Sequence, residues 1–572
     1  MNRLRSLGLL GGLLLWGLAY GQNLPVKTIT DQGGAGTGTV TWSSDTVYRL
    51  QGLIFVNPGD TLTIAPGTVI KGQVGPEADS TGILVVSAGG HIHAEGSPTE
   101  PIIFTTELDD VTDPFDLPTD ARAVPLWGGV HLLGRACNNN PVPVTLFEDL
   151  AYVFAPSAPS PGQDSLRIRY GAVDGPCDDS YDAGTLAYVS IRYAGAENVD
   201  FTEEFNGLSL IGVGTETELH HIEVAYTRDD AFEFRGSKLC AQYLMAGGIG
   251  DDCFDFDEGS QVTLQFISAV TGDPHGGSRI LEIDGSLEDG DQQPYGRAEL
   301  YNGTFISLDQ SGTRPGDIRD NAQAVIRNSV FYGFERGLRV EVDADDSIDS
   351  YQQFLAGEVE VDCNLFWEVA QNDSNALLIP YASFNNDAPD SLSFATLRAY
   401  FDSSQNVIAD PLFANLSNPD SLDLSPQPGS PLLTAGCPLP SGNACLSNAP
   451  YLGAFAPSSV GNLSLGWAQG WTFMSDFYYN AAQATTLAQP AMALAWRVFP
   501  NPTQGTLQVT WPTDQAAVRS LVLFDLQGRR LRQWQVDHVQ ATLSLTGLPS
   551  GLYLLQARGE AGLLGTQRVE LR

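Results

Sequence analysis

From Thr39 to about Phe455 the chain is built of short runs in which apolar and polar side chains alternate, each run stopped by Gly, Asp, Asn or Pro. Alternation at a period of two sends successive side chains to opposite faces, as in half-buried strands, and almost no stretch keeps a helical period. Clear examples are YRLQGLIFV (48–56), TLTIAPGTVIKG (61–72), GILVVSAGGHIHAEG (82–96), LAYVSIRYAG (186–195), HHIEVAY (220–226), QYLMAGG (242–248) and LQFISAV (264–270). The runs also repeat: Ile222, Leu244 and Phe266 lie 22 residues apart, and at the same offset Phe232 and Phe234 fall on Phe254 and Phe256. A fixed period of this kind predicts a coil whose turns lay strand on strand at about 4.8 Å, with like residues over like. The expected fold is all-β, a right-handed parallel β-helix. Ile222, Leu244 and Phe266 should form one interior column, and Asn302 and Asn328, each opening an Asn-x-x-Phe segment, an inward amide ladder. A β-sandwich would need two-residue hairpins, and few of the spacings are that short.

Segments 107–124, 136–182 and 341–357 break the pattern and are expected to leave the coil as loops. Residues 22–47 are candidates to cover one end of the coil, and the aromatic-rich 467–480 to cover the other or to bridge onward. After a Gln/Ala/Thr-rich linker at 481–495, alternating strands and turn residues resume over 496–572, predicting a small Ig-like β-sandwich. Residues 1–21 read as a signal peptide, with Arg3 and Arg5, an apolar run from Leu7 to Leu18 and a small-x-small end at Ala19-Tyr20-Gly21. No later run is long and apolar enough for a transmembrane segment.

Composition narrows the partners. With 29 basic and 68 acidic residues and a net charge of -39, nucleic acid and anionic membrane surfaces are disfavoured. Residues 490–572 instead hold eight Arg against five acids, which marks a domain boundary. Seven cysteines in an exported chain permit disulfides and leave at least one thiol over. Cys437 with Cys445 and Cys137 with Cys177 are the expected pairs. Cys240, Cys253 and Cys363 lie in strand-like runs and read as buried thiols.

The tail carries Phe499-Pro500-Asn501-Pro502, Gly505, Asp525 with Gly528-Arg529, Leu548 with Gly551-Leu552-Tyr553, and Arg568-Val569-Glu570. In these residues it resembles the C-terminal sorting domain of the type IX secretion system of Bacteroidota. The resemblance implies Pro500, Asn501, Pro502, Gly528, Gly551 and Tyr553 as sorting-signal positions. It also implies the type IX secretion machinery as partner and release or attachment to surface lipopolysaccharide at the outer membrane. The body resembles secreted β-helix proteins of the same bacteria through Gly59-Asp60, Pro66-Gly67, Lys71-Gly72, Trp127-Gly128-Gly129, Asn206-Gly207-Leu208 and Tyr451-Leu-Gly453-Ala-Phe455. That resemblance implies fold and location, and no activity.

The chemistry-bearing residues concentrate in one repeat, TRDDAFEFRG (227–236) over IGDDCFDFDEG (249–259). At period 22, Asp229, Asp251 and Asp273 stack, as do Asp230 with Asp252 and Glu233 with Asp255. Like charges at that spacing repel by about 1 kcal/mol even in water, so something must relieve them. Three readings stand side by side. The acids form turns and a solvent face; or Asp229, Asp251 and Asp273 hold Ca²⁺, which takes six to eight oxygens; or they are catalytic. For the last, Asp230, Gly250-Asp251-Asp252-Cys253 and His275-Gly276 are similar to the polygalacturonase family of inverting glycoside hydrolases. The similarity implies Asp230, Asp251, Asp252 and His275 as catalytic positions, with carboxyls about 6.5–9.5 Å apart. The chain departs from that family: Thr227-Arg228 and Pro274-His275-Gly276 stand at motif positions, and no Arg-Ile-Lys follows. His220 and His221, adjacent on a strand, should face opposite sides. His91, His93 and Glu95 share one face and are the better transition-metal candidates.

The reading is an exported, cell-surface or secreted protein with a binding, adhesive or envelope-structural role, with extracellular polysaccharide or another cell surface as partner. The competing class is a polysaccharide-active enzyme, a glycoside hydrolase or a lyase. The two separate on whether the acids converge in an open groove or are turned apart, buried or wrapped round a cation.

Overall fold

A computed structural model describes residues 24–475 and 497–572, apart from 76–80, 114–115, 118–125, 143, 148–163, 197–203, 272–278, 287–290, 309–311, 344–348, 383–388, 417–422, 457–465, 502, 512–519, 525–529, 537–539 and 560–561. The signal-peptide and linker assignments, Asp273, His275, Pro502 and Gly528 lie outside the described residues.

The body is a parallel β-helix. One sheet runs in order through ten strands, from Leu53–Val56 and Ile83–Val86 through Phe232–Arg235, Phe254–Asp257 and Arg279–Asp284 to Leu378–Tyr381. A second sheet supplies the other wall, and in mid-coil its two segments per turn merge into long strands: Gly184–Arg192, Glu218–Ala225, Lys238–Gly247 and Gln261–Thr271. Each long strand bends once at a residue in the left-handed region: Tyr188, His221, Tyr243 and Phe266, with φ between 52° and 61°. One such residue resets the in/out alternation, so both halves of the strand keep an apolar row toward the interior.

That bend corrects the expected column. Ile222 pairs with Leu244, but Leu244 pairs with Ile267, and the interior row is Val189, Ile222, Leu244 and Ile267. The spacing changes because Arg235 stacks on Asp257 at 22 residues whereas Lys238 stacks on Gln261 at 23. The added residue is in the turn at Glu258, with φ 51°. Phe266 therefore joins the outer stack of bend residues: successive rings of Tyr188, His221, Tyr243 and Phe266 lie 4.3, 4.3 and 5.0 Å apart. The other half of the repeat keeps its period, with Phe232 on Phe254 at 5.3 Å and Phe234 on Phe256 at 5.0 Å, all fully buried. Burying one such ring contributes on the order of 1.5–3 kcal/mol.

Asn302 and Asn328 occupy later bends, with φ 53° and 54°, and do not bond to each other. Asn302 Nδ2 donates to the Tyr451 carbonyl, while Asn328 donates to the Cys437 carbonyl and accepts from its N–H. Their partners belong to a strap, described over residues 437–456 and 466–475, that returns along the flank of the coil. Trp467 and Trp471 cover the aromatic stack edge-on, and Glu223 accepts the N–H groups of Phe473 and Met474 at 2.7 and 2.8 Å. The described part of 467–480 thus lies on the flank and covers no end. Residues 24–47 contribute the first strands, Val26–Ile29 and Val40–Trp42, each paired on one side only.

The strap also overturns the expected disulfides. Cys437 bonds Cys363 and Cys445 bonds Cys240, so each joins the strap to the coil instead of closing a short loop. Cys137 bonds Cys177 as expected, and Cys253 is the buried free thiol. Within the segments taken as loops, Ser350–Ala356 is helical, capped by Asp349. A longer helix, Ser391–Ser403, capped by Asp390, buries Leu397 and Phe401.

The C-terminal unit has two antiparallel sheets, one of Arg497–Phe499, Thr506–Thr510 and Gln540–Ser544, the other of four strands including Ser520–Phe524 and Gly551–Gly559. Leu507, Val509 and Leu543 from one face Leu521, Leu523 and Leu555 from the other in a separate core, which is a β-sandwich. Asn501 lies in the first turn, Gly551 opens a strand at φ 156°, and Tyr553 donates its hydroxyl to the Pro549 carbonyl.

Candidate functional site

With Phe232, Phe234, Phe254 and Phe256 turned inward, the intervening side chains must face outward from the ten-stranded sheet. Register sets them in rows. One row reads His131, Ser209, Glu233, Asp255, Glu282, Asp317 and Arg339. Two residues further on, Arg235 stacks on Asp257, and Asp284 on Arg319. Four acids in succession at strand spacing would repel, and the arginines of neighbouring rows relieve them.

Arg279 is the centre of that relief. Its guanidinium reaches both oxygens of Asp252, at 3.0 and 2.6 Å, and both of Glu282, at 2.5 and 2.7 Å. Arg319 takes Asp284 at 2.6 and 2.8 Å and adds a second contact to Glu282 at 2.5 Å. Asp317 is 1 % exposed and is held by Arg314 and Arg339. Burial raises its pKa, but the two guanidiniums outweigh that and hold it down at about 2. Such forked Arg–carboxylate pairs give both energy and fixed geometry.

Asp255 is the exception. It lies between Glu233 and Glu282, and its Oδ1 is buried with no hydrogen-bond partner. Burial, then the charges of Glu282 and Asp284, push its pKa well above the usual carboxylate range. Both effects favour its protonated form.

Of the predicted catalytic acids, Asp230 and Asp251 each bring one carboxylate oxygen within 4.8 Å of the other, while Asp252 is drawn away to Arg279. Asp230 is turned into the stack, where its Oδ1 accepts the Asp252 N–H at 2.9 Å and its own N–H donates to Asn206 Oδ1 at 3.0 Å. Burial, then Asp229, raises its pKa. Asp252 is fully buried and held by Arg279, with a pKa raised by burial and by Glu282. The turns that carry these acids pack closely: a Cβ on Gly250 would sit 1.7 Å from the Arg228 carbonyl. His275 is outside the described residues.

For the cation set, Asp229 and Asp251 do meet, with Asp230 as third member where Asp273 was expected, and one oxygen from each lies within 4.8 Å of the others. This is the one group of three metal-capable side chains among the described residues, so His91, His93 and Glu95 are not gathered into a site. Three carboxylates match the hard-oxygen chemistry of Ca²⁺ and supply about half of its usual ligands. His220 and His221 depart from expectation: the left-handed bend at His221 brings their Nδ1 atoms to 3.0 Å. Burial, then His220, lowers the His221 pKa to about 4. His131 is likewise neutral, its pKa lowered to about 4 by burial; Nε2–H donates to the Gly128 carbonyl, leaving Nδ1 to accept the Ser209 hydroxyl.

Attention to acids alone overlooks the arginines. The signal was present as Arg279-x-x-Glu282-Ile-Asp284 and Arg314-x-x-Asp317-Ile-Arg319, three charged positions recurring at 35 residues.

Residues 34–392, well over half of the chain, match the family model described as a pectate-lyase like beta helix domain, and residues 497–569 match the secretion system C-terminal sorting domain. No curated protein and no solved structure matches. No helix among the described residues is long and apolar enough to cross a membrane. The chain therefore belongs to the pectate-lyase-like β-helix family and carries a type IX secretion sorting domain, implying a Bacteroidota source and export to the medium or the outer surface.

Proposed function

We propose that this exported β-helix acts as a binding, adhesive or envelope-structural protein, and that the outward face of its ten-stranded sheet is the recognition surface. Arg279 carries the reading: by clamping Asp252 and Glu282 it commits to structure the acids that a hydrolase would keep free. The partner is an extracellular polysaccharide or another cell surface, which the arginines and carboxyls of the face would hydrogen-bond through hydroxyls. Ca²⁺ on Asp229, Asp230 and Asp251 would supply a rim cation. Signal-peptide removal after Gly21 and retention on surface lipopolysaccharide belong to the same proposal.

A second reading is favoured by Asp255. A carboxyl whose pKa is raised by burial, with one oxygen lacking a hydrogen-bond partner, is what a general acid for glycosidic cleavage requires. The separating experiment incubates the secreted protein with plant and algal polysaccharides, with and without chelator. Retention on a polysaccharide without new reducing ends or unsaturated products supports binding. Product formation that Asp255→Asn abolishes would replace it with the enzyme.

A further inference from the structure

A second feature lies on the other sheet, in the first turns of the coil. Val26–Ile29, Val47–Leu50 and Val69–Gly72 stack in parallel register, which sets Val26, Val47 and Val69 in one outward row and Arg49 beside Lys71 in the next. Residues 107–111 lie against this face and enclose a cavity of about 520 Å³. That volume falls within the range of small-molecule sites, about 300–1,000 Å³.

The charges in the cavity are unequal. Arg49 is matched by Glu107 at 2.7 Å, and Glu107 is further fixed by the Val74 N–H at 3.0 Å. Lys71 has no such match. Its ammonium donates to the Asp109 backbone carbonyl, and no carboxylate of the described residues lies within ion-pair distance. The Asp109 carboxyl is turned away and 2 % exposed, accepting the Thr105 hydroxyl at 2.6 Å, and burial pushes its pKa up. In a chain of net charge -39 with only three lysines, a half-buried ammonium over an apolar floor is an anomaly. The open apolar surface of the cavity is at Val26, which is 63 % exposed, with Val47 and Val69 lining the covered side behind it.

We propose that this cavity binds a small amphipathic carboxylate, its apolar body along Val26, Val47 and Val69 and its carboxylate on Lys71. Three residues in register span two strand spacings, about 10 Å, which suits an unbranched body of roughly seven or eight carbons. Arg49, already engaged by Glu107, sets the edge of the anion site.

The test uses the full secreted chain and octanoate as probe, measured by titration calorimetry against octanol and octylamine. Saturable one-to-one binding of octanoate is expected, with both analogues at least tenfold weaker. Lys71→Met should lose at least tenfold with an unchanged melting temperature. Val26→Asp, at an exposed position, should lose a similar factor and serves if the Lys71 variant misfolds. No saturable octanoate binding, equal binding of octanol, or wild-type affinity in the folded variants overturns the proposal.

Discussion

Replacing Arg279 by Gln isolates the forked charge pair at the centre of the outward face. In the folded protein Asp252 is 0 % exposed and Arg279 12 % at the side chain, so the variant leaves Asp252 buried with no cation, while Glu282 keeps Arg319. Removing one partner of a buried pair costs about 3–5 kcal/mol. Unfolding entropy is about 2.1 cal/mol/K per residue, so over roughly 450 residues of body and strap that loss lowers the melting temperature by about 3–5 °C. Burial already raises the Asp252 pKa, and losing Arg279 raises it further. A raised carboxyl is stabilising below its unfolded value near 4 and loses that contribution as pH rises through the folded value. The deficit of the variant must therefore grow from pH 4.5 to pH 8. Differential scanning calorimetry at both pH values measures it, with Arg398→Gln as control, since the Arg398–Asp402 pair is exposed at 30 % and 54 %. A shift below 1 °C at pH 8, or an equal shift at the two pH values, would refute the account of the charge lattice.

Other outcomes follow from the same structure. Asp317, held at about 2, below the ordinary aspartate pKa of about 3.9, contributes about 2 kcal/mol that is present above pH 4 and lost as pH falls toward 2; Asp317→Asn should remove that acid-limb loss in a pH–stability profile. Peptide mapping without reduction should recover Cys240–Cys445 and Cys363–Cys437, and Cys253 should alkylate only after unfolding. Phe254→Ala, in the stacked interior, should cost about 3–5 kcal/mol by denaturant titration. Adding Ca²⁺ should raise the melting temperature of the wild type and leave an Asp229→Asn/Asp251→Asn variant unmoved; a wild type indifferent to Ca²⁺ and chelator would refute the cation site.

The coil was legible because it rests on backbone pairing and apolar periodicity, which sequence records directly. The Phe232–Phe254 and Phe234–Phe256 stacks are its clearest trace. Phe266 leaves the column that a fixed period predicts because one added residue in the turn at Glu258 is invisible to that period. The bends at Tyr188, His221 and Tyr243 were hidden because left-handed backbone is unusual for aromatic residues and leaves no compositional mark. The cysteine pairs could not be read, since Cys445 meets Cys240 only once the strap has doubled back across the coil. At the candidate site the acids were visible as a cluster, while their neutralisation by Arg279, Arg314 and Arg319 depends on which rung lies over which.

A solenoid whose rungs touch only their neighbours tends to fray from its termini, shedding turns one by one. Here the Cys363–Cys437 and Cys240–Cys445 bonds, with the Glu223 contacts to Phe473 and Met474, tie distant rungs to one segment. Loss of a terminal turn then cannot spread without rupturing contacts in mid-coil. Melting should become a single concerted event when the cross-links are intact and a graded one when they are reduced, a property suited to a protein exposed to proteases outside the cell.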